Sequence, residues 1–230
     1  MKDLTVVVPA KASSTRIPNK NFREFLHGES LVDITVKKLL MTGLQTDQIY
    51  LSCEDESKSE VAEKHGIQFS LRQERLCRNE TPFSEVFRGV ATQIPGDSDI
   101  MWAQVCDPFF DEYTRCIDEW RKAKASHSNR YDSLVVCHKV SGYYMDENLL
   151  PIHGWGFGPW HVPSQHLPTF YKMPFACSIL TRDSIESVGY YVGARPLWLP
   201  CQWTSIDIDT EDDFLLARLM MIHQQEAANR

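Results

Sequence analysis

Short apolar segments alternate along the first 140 residues with stretches in which apolar positions recur every three or four residues. The apolar segments are rich in β-branched residues and span residues 5–8, 49–53, 67–71, 100–105 and 133–137. Segments of this length and composition predict strands that are buried on both faces of a sheet. In the stretches between these strands, apolar residues recur at helical spacing, as at Leu31, Ile34 and Leu39, which predicts crossover helices. The pattern therefore predicts a three-layer α/β/α domain with a mostly parallel sheet.

Residues 141–172 depart from this alternation and are rich in glycine, proline and aromatic residues. An irregular segment of this length is too long for a passive connection, so it predicts an inserted lid or a subunit-contact arm. Extended patterns return at 175–181 and 195–200, and Thr210 with Asp213 three positions later predicts the N-cap of a closing helix. We expect one domain over residues 1–230 that carries the insertion at 141–172.

Composition and charge narrow the function classes. The 230 residues are 43% hydrophobic and carry a formal net charge of −7, which argues against nucleic-acid binding because that usually needs a basic face. The first apolar run, residues 4–8, is too short to cross a membrane or to form a signal-peptide core. Seven cysteines without a CxxC pair favour buried thiols in the cytoplasm. An anionic ligand would therefore need a local cationic pocket.

A polar loop after the first predicted strand supplies such a pocket. Residues 9–21 contain Lys11, Arg16 and Lys20 among small and hydroxyl residues. A loop at the carboxyl end of a central parallel strand, with free N–H groups and cations, can surround a triphosphate. It matches neither the Walker A loop nor the GxGxxG fingerprint. On charge alone, a solvated basic loop is an equal alternative.

An acidic pair near the carboxyl end of the chain predicts a metal site. Asp207 and Asp209 are separated by one residue, so in an extended strand their carboxylates share one side. Mg²⁺ typically binds one or two carboxylates together with substrate phosphates. The alternative is that the two residues only end a strand before the closing helix.

These segments resemble one enzyme family at matching spacing. Residues 9–21 read Pro-Ala-Lys-Ala-Ser-Ser-Thr-Arg-Ile-Pro-Asn-Lys-Asn and resemble the PAR-x-x-S-K-x-(I/L)-P-x-KN signature of the sugar-acid cytidylyltransferases, the group of the acylneuraminate cytidylyltransferases or CMP-sialic acid synthetases. Further matches are residues 71–76 to LRP-x-x-L, 81–85 to TTP-x-x-D, 104–108 to QPTSP and 205–211 to DIDT-E. The resemblance implies a Rossmann-like nucleotidyltransferase fold, CTP, a sugar-acid substrate, Mg²⁺ and a homodimer in which 141–172 is the dimerisation arm.

The resemblance also implies roles for individual residues. Lys11 stands where the family has an arginine that contacts the CTP phosphates, and with Lys20 and Asp209 it is expected to be catalytic. Nucleotide binding is expected from Lys11, Ser14, Arg16, Lys20, Asn21, Arg72 and Thr81, with Arg72 near the base. Gln104 is expected to contact the sugar acid, and Asp207 and Asp209 to hold the metal. The implied reaction transfers CMP from CTP to the anomeric hydroxyl of a sialic-acid-like sugar and releases pyrophosphate.

The sequence departs from the family mainly in the half that would bind the sugar. Lys11 keeps the charge of arginine without its planar fork. Cys106 and Asp107 replace two hydroxyl residues, and residues 173–177 stand where the family has Asn-Gly-Ala. Asp107 is expected to contact the sugar acid or to be a further metal ligand, as in the acidic QGDEP loop of the Kdo cytidylyltransferases. Two alternatives stay open: a nucleotide-binding homologue without transfer activity, and a nucleotidyltransferase for another sugar or nucleotide.

Overall fold

The computed structural model describes residues 3–126, 130–152 and 162–228, and it confirms the predicted α/β fold. Its strands are β1 Leu4–Pro9, β2 Ile49–Cys53, β3 Gln68–Leu71, β4 Asp99–Ala103, β5 Ser133–Val140, β6 Phe170–Lys172, β7 Cys177–Leu180 and β8 Pro196–Cys201. Its α-helices are α1 Leu31–Leu40, α2 Ser59–His65, α3 Phe83–Thr92, α4 Tyr113–Ser126, α5 Arg182–Ser187 and α6 Glu211–Ala228. The short strand β6 and helix α5 are additions to the predicted elements.

The sheet is mostly parallel around its central strand. Its order is β3-β2-β1-β4-β7-β5-β6, with β8 paired to β5. Strand β1 runs parallel to β2 and β4, with Val7 opposite both Tyr50 and Trp102. Strands β6 and β7 both run antiparallel to β5. An antiparallel return needs no crossover helix, so the insertion can lead from β5 back along the same strand.

Apolar side chains pack on both faces of the sheet. One cluster joins Val6 and Val8 of β1 to helices α1, α2, α4 and α6. The other joins Val7 of β1 to α3 and α5. Successive residues of a strand point to opposite faces, so a continuous apolar strand requires helices on both sides. This is the three-layer arrangement that the sequence predicts.

The start of helix α6 follows a local sequence signal, whereas the strand predicted just before it does not form. The hydroxyl of Thr210 accepts a hydrogen bond from the amide of Asp213 at 3.2 Å, and the carboxylate of Asp213 accepts one from the amide of Thr210 at 2.8 Å. This capping box confirms the predicted start of α6. Residues 207–209, predicted as a strand, have no regular secondary structure and lie outside the sheet.

The insertion at 141–172 is described in part. Residues 153–161 lie outside the described residues, and the remainder contains β6 and a 3₁₀ turn at Ser164–His166. Its role as an arm therefore stays a prediction. Among the described residues, no helix is long and apolar enough to cross a membrane.

Candidate active site

The phosphate loop, residues 9–21, follows the central strand β1 and is fixed by polar contacts. The amide of Ala10 donates to the carbonyl of Ser52 at 3.0 Å, which extends the pairing of β1 with β2. The side-chain amide of Asn21 donates to the carbonyl of Lys11 at 2.9 Å and closes the loop. Glu54, just after β2, accepts hydrogen bonds from the amide of Ser13 at 2.8 Å and from its hydroxyl at 2.7 Å.

Glu54 is a half-buried carboxylate that no sequence motif singled out. Burial acts to raise its pKa, but the hydrogen bonds from Ser13, together with those from the backbone amides of Glu54 and Ala12, outweigh burial and lower the pKa to about 2. Glu54 is therefore a negative charge that orders the loop. Its only signal in the sequence is its place after a predicted strand, next to the carboxyl end of β1.

The loop forms one wall of a cleft at the carboxyl ends of β1 and β4. The cleft has a volume of about 240 Å³. In open α/β sheets, ligands bind at this edge. Seven of the residues predicted from the sequence line the cleft together: Lys11, Ser14, Arg16, Lys20, Asn21, Arg72 and Gln104. The structure thus brings most of the predicted nucleotide-binding residues to one place.

The three loop cations have different surroundings. The ammonium of Lys11 donates to the carbonyl of Cys77 at 2.7 Å and to the side-chain oxygen of Asn79 at 2.8 Å. Arg16 is exposed and forms an ion pair with Asp209 at 2.7 Å. Lys20 is only 8% exposed, and its ammonium lies 3.8 Å from the Asp209 carboxylate and also donates to the carbonyl of Ile208. Arg16 and Lys20 therefore connect the loop to Asp209.

Two other predicted residues are buried at the base of the cleft. The guanidinium of Arg72 donates to the carbonyl of Ser52 at 2.7 Å and to its hydroxyl at 3.3 Å. Its contacts hold β2, and a role beside the base stays a prediction. Asn21 has a buried side-chain oxygen without a protein hydrogen-bond partner. Because buried polar atoms are normally hydrogen-bonded, this oxygen is available to a ligand.

The carboxylate segment, residues 202–210, carries the predicted metal ligands. Ile208 is fully buried, Asp207 on one side of it is exposed and Asp209 on the other is half-buried. Although the Asp207 side chain reaches solvent, partial desolvation of its carboxylate by the surrounding protein raises its pKa, and the charge of Asp209 adds to this effect. Among the described residues, no group of three or more His, Cys, Asp or Glu side chains could hold a metal. Two carboxylates beside a phosphate pocket fit Mg²⁺, which uses few protein ligands.

Four predicted residues are not among the side chains that line the cleft: Asp207 and Asp209 of the carboxylate segment, and also Thr81 and Asp107, which form other contacts. The hydroxyl of Thr81 donates to the carbonyl of Arg75 at 2.5 Å. Asp107 is 4% exposed, and its carboxylate accepts hydrogen bonds from Trp203 and Ser205. These contacts favour a structural place for both side chains, and their predicted contacts with ligands stay predictions. Asn79 and Phe83 instead line the cleft, although no sequence motif singled them out.

Residues 173–177, which stand where the family has Asn-Gly-Ala, place an aromatic ring next to the cleft. Phe175 has a φ of 55°, in the left-handed region that favours glycine. Its ring packs 5.2 Å from the ring of Tyr191 and 6.4 Å from that of Phe83, a cleft residue. A bulky aromatic side chain therefore stands where the family pattern has glycine.

The sequence of this chain is similar to those of known cytidylyltransferases. A family model described as cytidylyltransferase matches residues 5–136, and the chain belongs to the cytidylyltransferase family. Two pseudaminic acid cytidylyltransferases of Campylobacter jejuni subsp. jejuni, from serotypes O:2 and O:23/36, are 30% and 31% identical to it. Each alignment covers 106 residues, which are 46% of this chain and 44% of the relative. The matched part thus spans less than half the length of these curated relatives.

Solved structures share the fold. A CMP:2-keto-3-deoxy-manno-octonic acid synthetase complexed with CTP superposes with a TM-score of 0.66 at 12% identity, over 97% of this chain and 100% of that one. A putative glucose-1-phosphate thymidylyltransferase from Bacillus anthracis superposes with a TM-score of 0.63 at 11% identity, over 94% of each chain. At these identities the likeness establishes the nucleotidyltransferase fold.

Proposed function

We propose that this protein transfers CMP from CTP to the anomeric hydroxyl of a nonulosonic, sialic-acid-like sugar acid and releases pyrophosphate. The observation that carries the proposal is the meeting of Lys11, Arg16 and Lys20 with Asp209 and Gln104 around one cleft. Membership of the cytidylyltransferase family supports CTP as the nucleotide. The two relatives named for pseudaminic acid make that sugar acid the first one to test.

The chain's own residues would act mainly by positioning and by neutralising charge. The sugar hydroxyl oxygen forms a bond to the α-phosphorus of CTP and its proton is released to solvent, while the bond between the α-phosphorus and the bridging oxygen that leaves with pyrophosphate breaks. The cations Lys11, Arg16 and Lys20 would stabilise the negative charge that accumulates on the departing pyrophosphate. Gln104 would donate to the sugar acid and hold its hydroxyl in line with the phosphorus.

Asp207 and Asp209 would hold Mg²⁺. When bound there, Mg²⁺ would supply Lewis-acid stabilisation of charge on the phosphate oxygens. Lys20 contacts the carbonyl of Ile208 between the two carboxylates, so it orients the segment as well as the triphosphate. Arg16 pairs with Asp209 and brings a cation to the same point.

A pyrophosphate-release assay tests the proposal. Purified protein with CTP and Mg²⁺ is given pseudaminic, N-acetylneuraminic and octulosonic acids in turn. We expect release with at least one nonulosonic acid and none with UTP in place of CTP. Folded protein that binds CTP but releases no pyrophosphate with any acid would reject the proposal.

Phe175 favours a second candidate, a nucleotide-binding homologue without transfer activity. Its ring adds bulk beside the part of the cleft where the sugar acid would bind. In that case CTP would raise the melting temperature because it binds the folded state, while every acid would be inactive. A change in acceptor or nucleotide specificity is the remaining alternative, and UTP and neutral sugars in the same assay detect it.

We further propose a cytoplasmic homodimer of one-domain subunits, with 141–172 as the contact arm. Met145, Leu149 and Leu150 in this arm are exposed apolar residues. Nearby strands surround an apolar cavity of about 510 Å³ that is lined by Tyr171 and Trp198, among others. A second copy of the chain would cover both surfaces. Sedimentation of the wild type and of a Leu149→Glu variant tests this, and a monomeric wild type at micromolar concentration would reject it.

A further inference from the structure

The carboxylate segment needs an external support to keep its shape. It connects β8 to α6, and residues 202–210 form neither helix nor strand. A segment of this kind has no backbone ladder of its own, so side-chain contacts must fix its conformation. The position of Asp207 and Asp209 depends on those contacts.

Asp107 supplies most of this support from the loop after β4. One oxygen of its carboxylate accepts hydrogen bonds from the indole N–H of Trp203 at 2.8 Å and from the hydroxyl of Ser205 at 2.9 Å. The other oxygen accepts from the amide of Phe109 at 3.3 Å. Two of these donors, Trp203 and Ser205, thus lie within the four residues that precede Asp207.

The surrounding contacts join the two segments along their length. The amide of Ile208 donates to the carbonyl of Cys106 at 2.9 Å, one residue before Asp107. The ring of Trp203 packs edge-on against Phe110 at 5.0 Å. Lys38 of α1 donates to the carbonyls of Pro108 at 2.6 Å and Phe110 at 2.9 Å. The loop that carries Asp107 is therefore itself anchored to a helix.

We propose that Asp107 is a positioning residue that holds the carboxylate segment beside the phosphate loop, where Asp209 pairs with Arg16 and Lys20. It acts through Trp203 and Ser205 and touches neither the metal nor the sugar acid. The expected effect of Asp107 on metal binding rests on the proposed function, in which Asp207 and Asp209 hold Mg²⁺. Since Gln104 lies three residues before Asp107, the same loop links the sugar-acid contact to the metal ligands.

The chemistry of the side chain explains why a carboxylate stands here. A carboxylate only accepts hydrogen bonds, and its two oxygens can take the three donors that converge on it, from Phe109, Trp203 and Ser205. Asparagine keeps the shape and one acceptor oxygen, which is sufficient for Trp203 and Ser205 together. Alanine removes all of these acceptors and leaves the half-buried indole N–H of Trp203 without Asp107 as its partner.

Hydrogen exchange tests the positioning without reference to metal or activity. We expect Asp107→Ala to speed amide exchange in residues 205–209 at least about tenfold, and Asp107→Asn to stay within about threefold of the wild type. Asp132→Ala is the matched control, because Asp132 also accepts amide hydrogen bonds, from Ala194 and Arg195, far from the segment. It should leave the exchange of 205–209 unchanged. Unchanged exchange in Asp107→Ala would overturn the proposal.

Metal binding gives the second readout. Mn²⁺ is titrated into each variant with CTP and without sugar acid, and free Mn²⁺ is followed by electron paramagnetic resonance. Loss of a residue that orients metal ligands typically weakens metal binding 10- to 100-fold, and we expect this for Asp107→Ala only. If Asp107→Asn binds Mn²⁺ as poorly as Asp107→Ala, the charge itself contacts the metal and the proposal is wrong. If the wild type binds no Mn²⁺, the proposed function fails, while hydrogen exchange still decides the positioning role.

Discussion

The phosphate loop and the carboxylate segment bring opposite charges together at Asp209, but they are held in different ways. The loop continues directly from the central strand β1, and Glu54 at the end of the adjacent strand supports it. The carboxylate segment has no regular structure and depends on Asp107, which is 96 and 98 positions from its two side-chain donors. One half of the site thus follows from neighbouring strands, and the other from a contact between distant parts of the chain.

The two supporting carboxylates also differ in their ionisation. Hydrogen bonds from Ser13 prevail over burial at Glu54 and lower its pKa to about 2. At Asp107 burial prevails over the hydrogen bonds from Trp203 and Ser205 and raises its pKa. Hydrogen-bond donors favour the ionised form of a half-buried carboxylate such as Glu54, whereas deep burial disfavours the ionised form of Asp107. The two halves of the site should therefore respond differently to mutation and to acid.

The largest effect is expected from Asp209→Asn. Asp209 pairs with Arg16 and Lys20 and is a predicted metal ligand, so its charge connects both halves of the site. We expect kcat to fall about 10³-fold in the pyrophosphate-release assay. Asp212→Asn, at an exposed position in the first turn of α6, is the control and should retain wild-type turnover. Unchanged turnover in Asp209→Asn would remove this residue from the mechanism.

A smaller effect is expected from Lys20→Met than from Asp209→Asn. Lys20 is almost buried, and charges are worth more where solvent is excluded. We expect kcat/KM for CTP to fall about 10²-fold. Lys11→Met should lower kcat/KM for CTP only about tenfold, because Lys11 is half-buried and solvent partly screens its charge. Equal losses in both variants would show that burial does not distinguish the two cations.

Trp203→Phe isolates one hydrogen bond of the carboxylate segment. The variant keeps the ring that packs on Phe110 and removes the N–H that donates to Asp107. We expect the free energy of unfolding in urea to fall by about 2 kcal/mol, the range for a hydrogen bond to a charged group. Met41→Leu, at a position that is 84% exposed and outside every proposed site, should change it by less than about 0.5 kcal/mol. An equal effect of both substitutions would contradict the anchoring role of the indole N–H.

The smallest effect is expected from Glu54→Gln, and it should depend on pH. The folded-state pKa of Glu54 is about 2, below its ordinary value of 4.5, so ionised Glu54 stabilises the fold above about pH 4.5. This contribution is lost as the pH falls from 4.5 towards 2. We expect the free energy of unfolding of the wild type to exceed that of the variant by about 1 kcal/mol at pH 7, and this difference to shrink on acidification. Urea unfolding at several pH values measures it, with Glu56→Gln as the exposed control; a pH-independent difference would refute this account.

Much of the nucleotide half was predictable because its residues are contiguous. Lys11, Ser14, Arg16, Lys20 and Asn21 lie in one loop after a recognisable strand, and all five line the cleft. The partner of Arg72 was not predictable, because the contact with Ser52 requires knowing that β2 and β3 are neighbours. The expected roles of Asp107 and Thr81 came from motif matches, and motif matches do not show which way a side chain points.

The sequence by itself determined the layers of the fold, the cationic loop and the acidic pair. Periodicity encodes which face of each element is buried, and a short motif needs only its own residues. The tertiary structure decided that Glu54 orders the phosphate loop, that Arg16 and Lys20 meet Asp209, and that Asp107 is enclosed by Trp203 and Ser205. These contacts depend on the order of strands in the sheet, and each joins positions that are far apart in the chain.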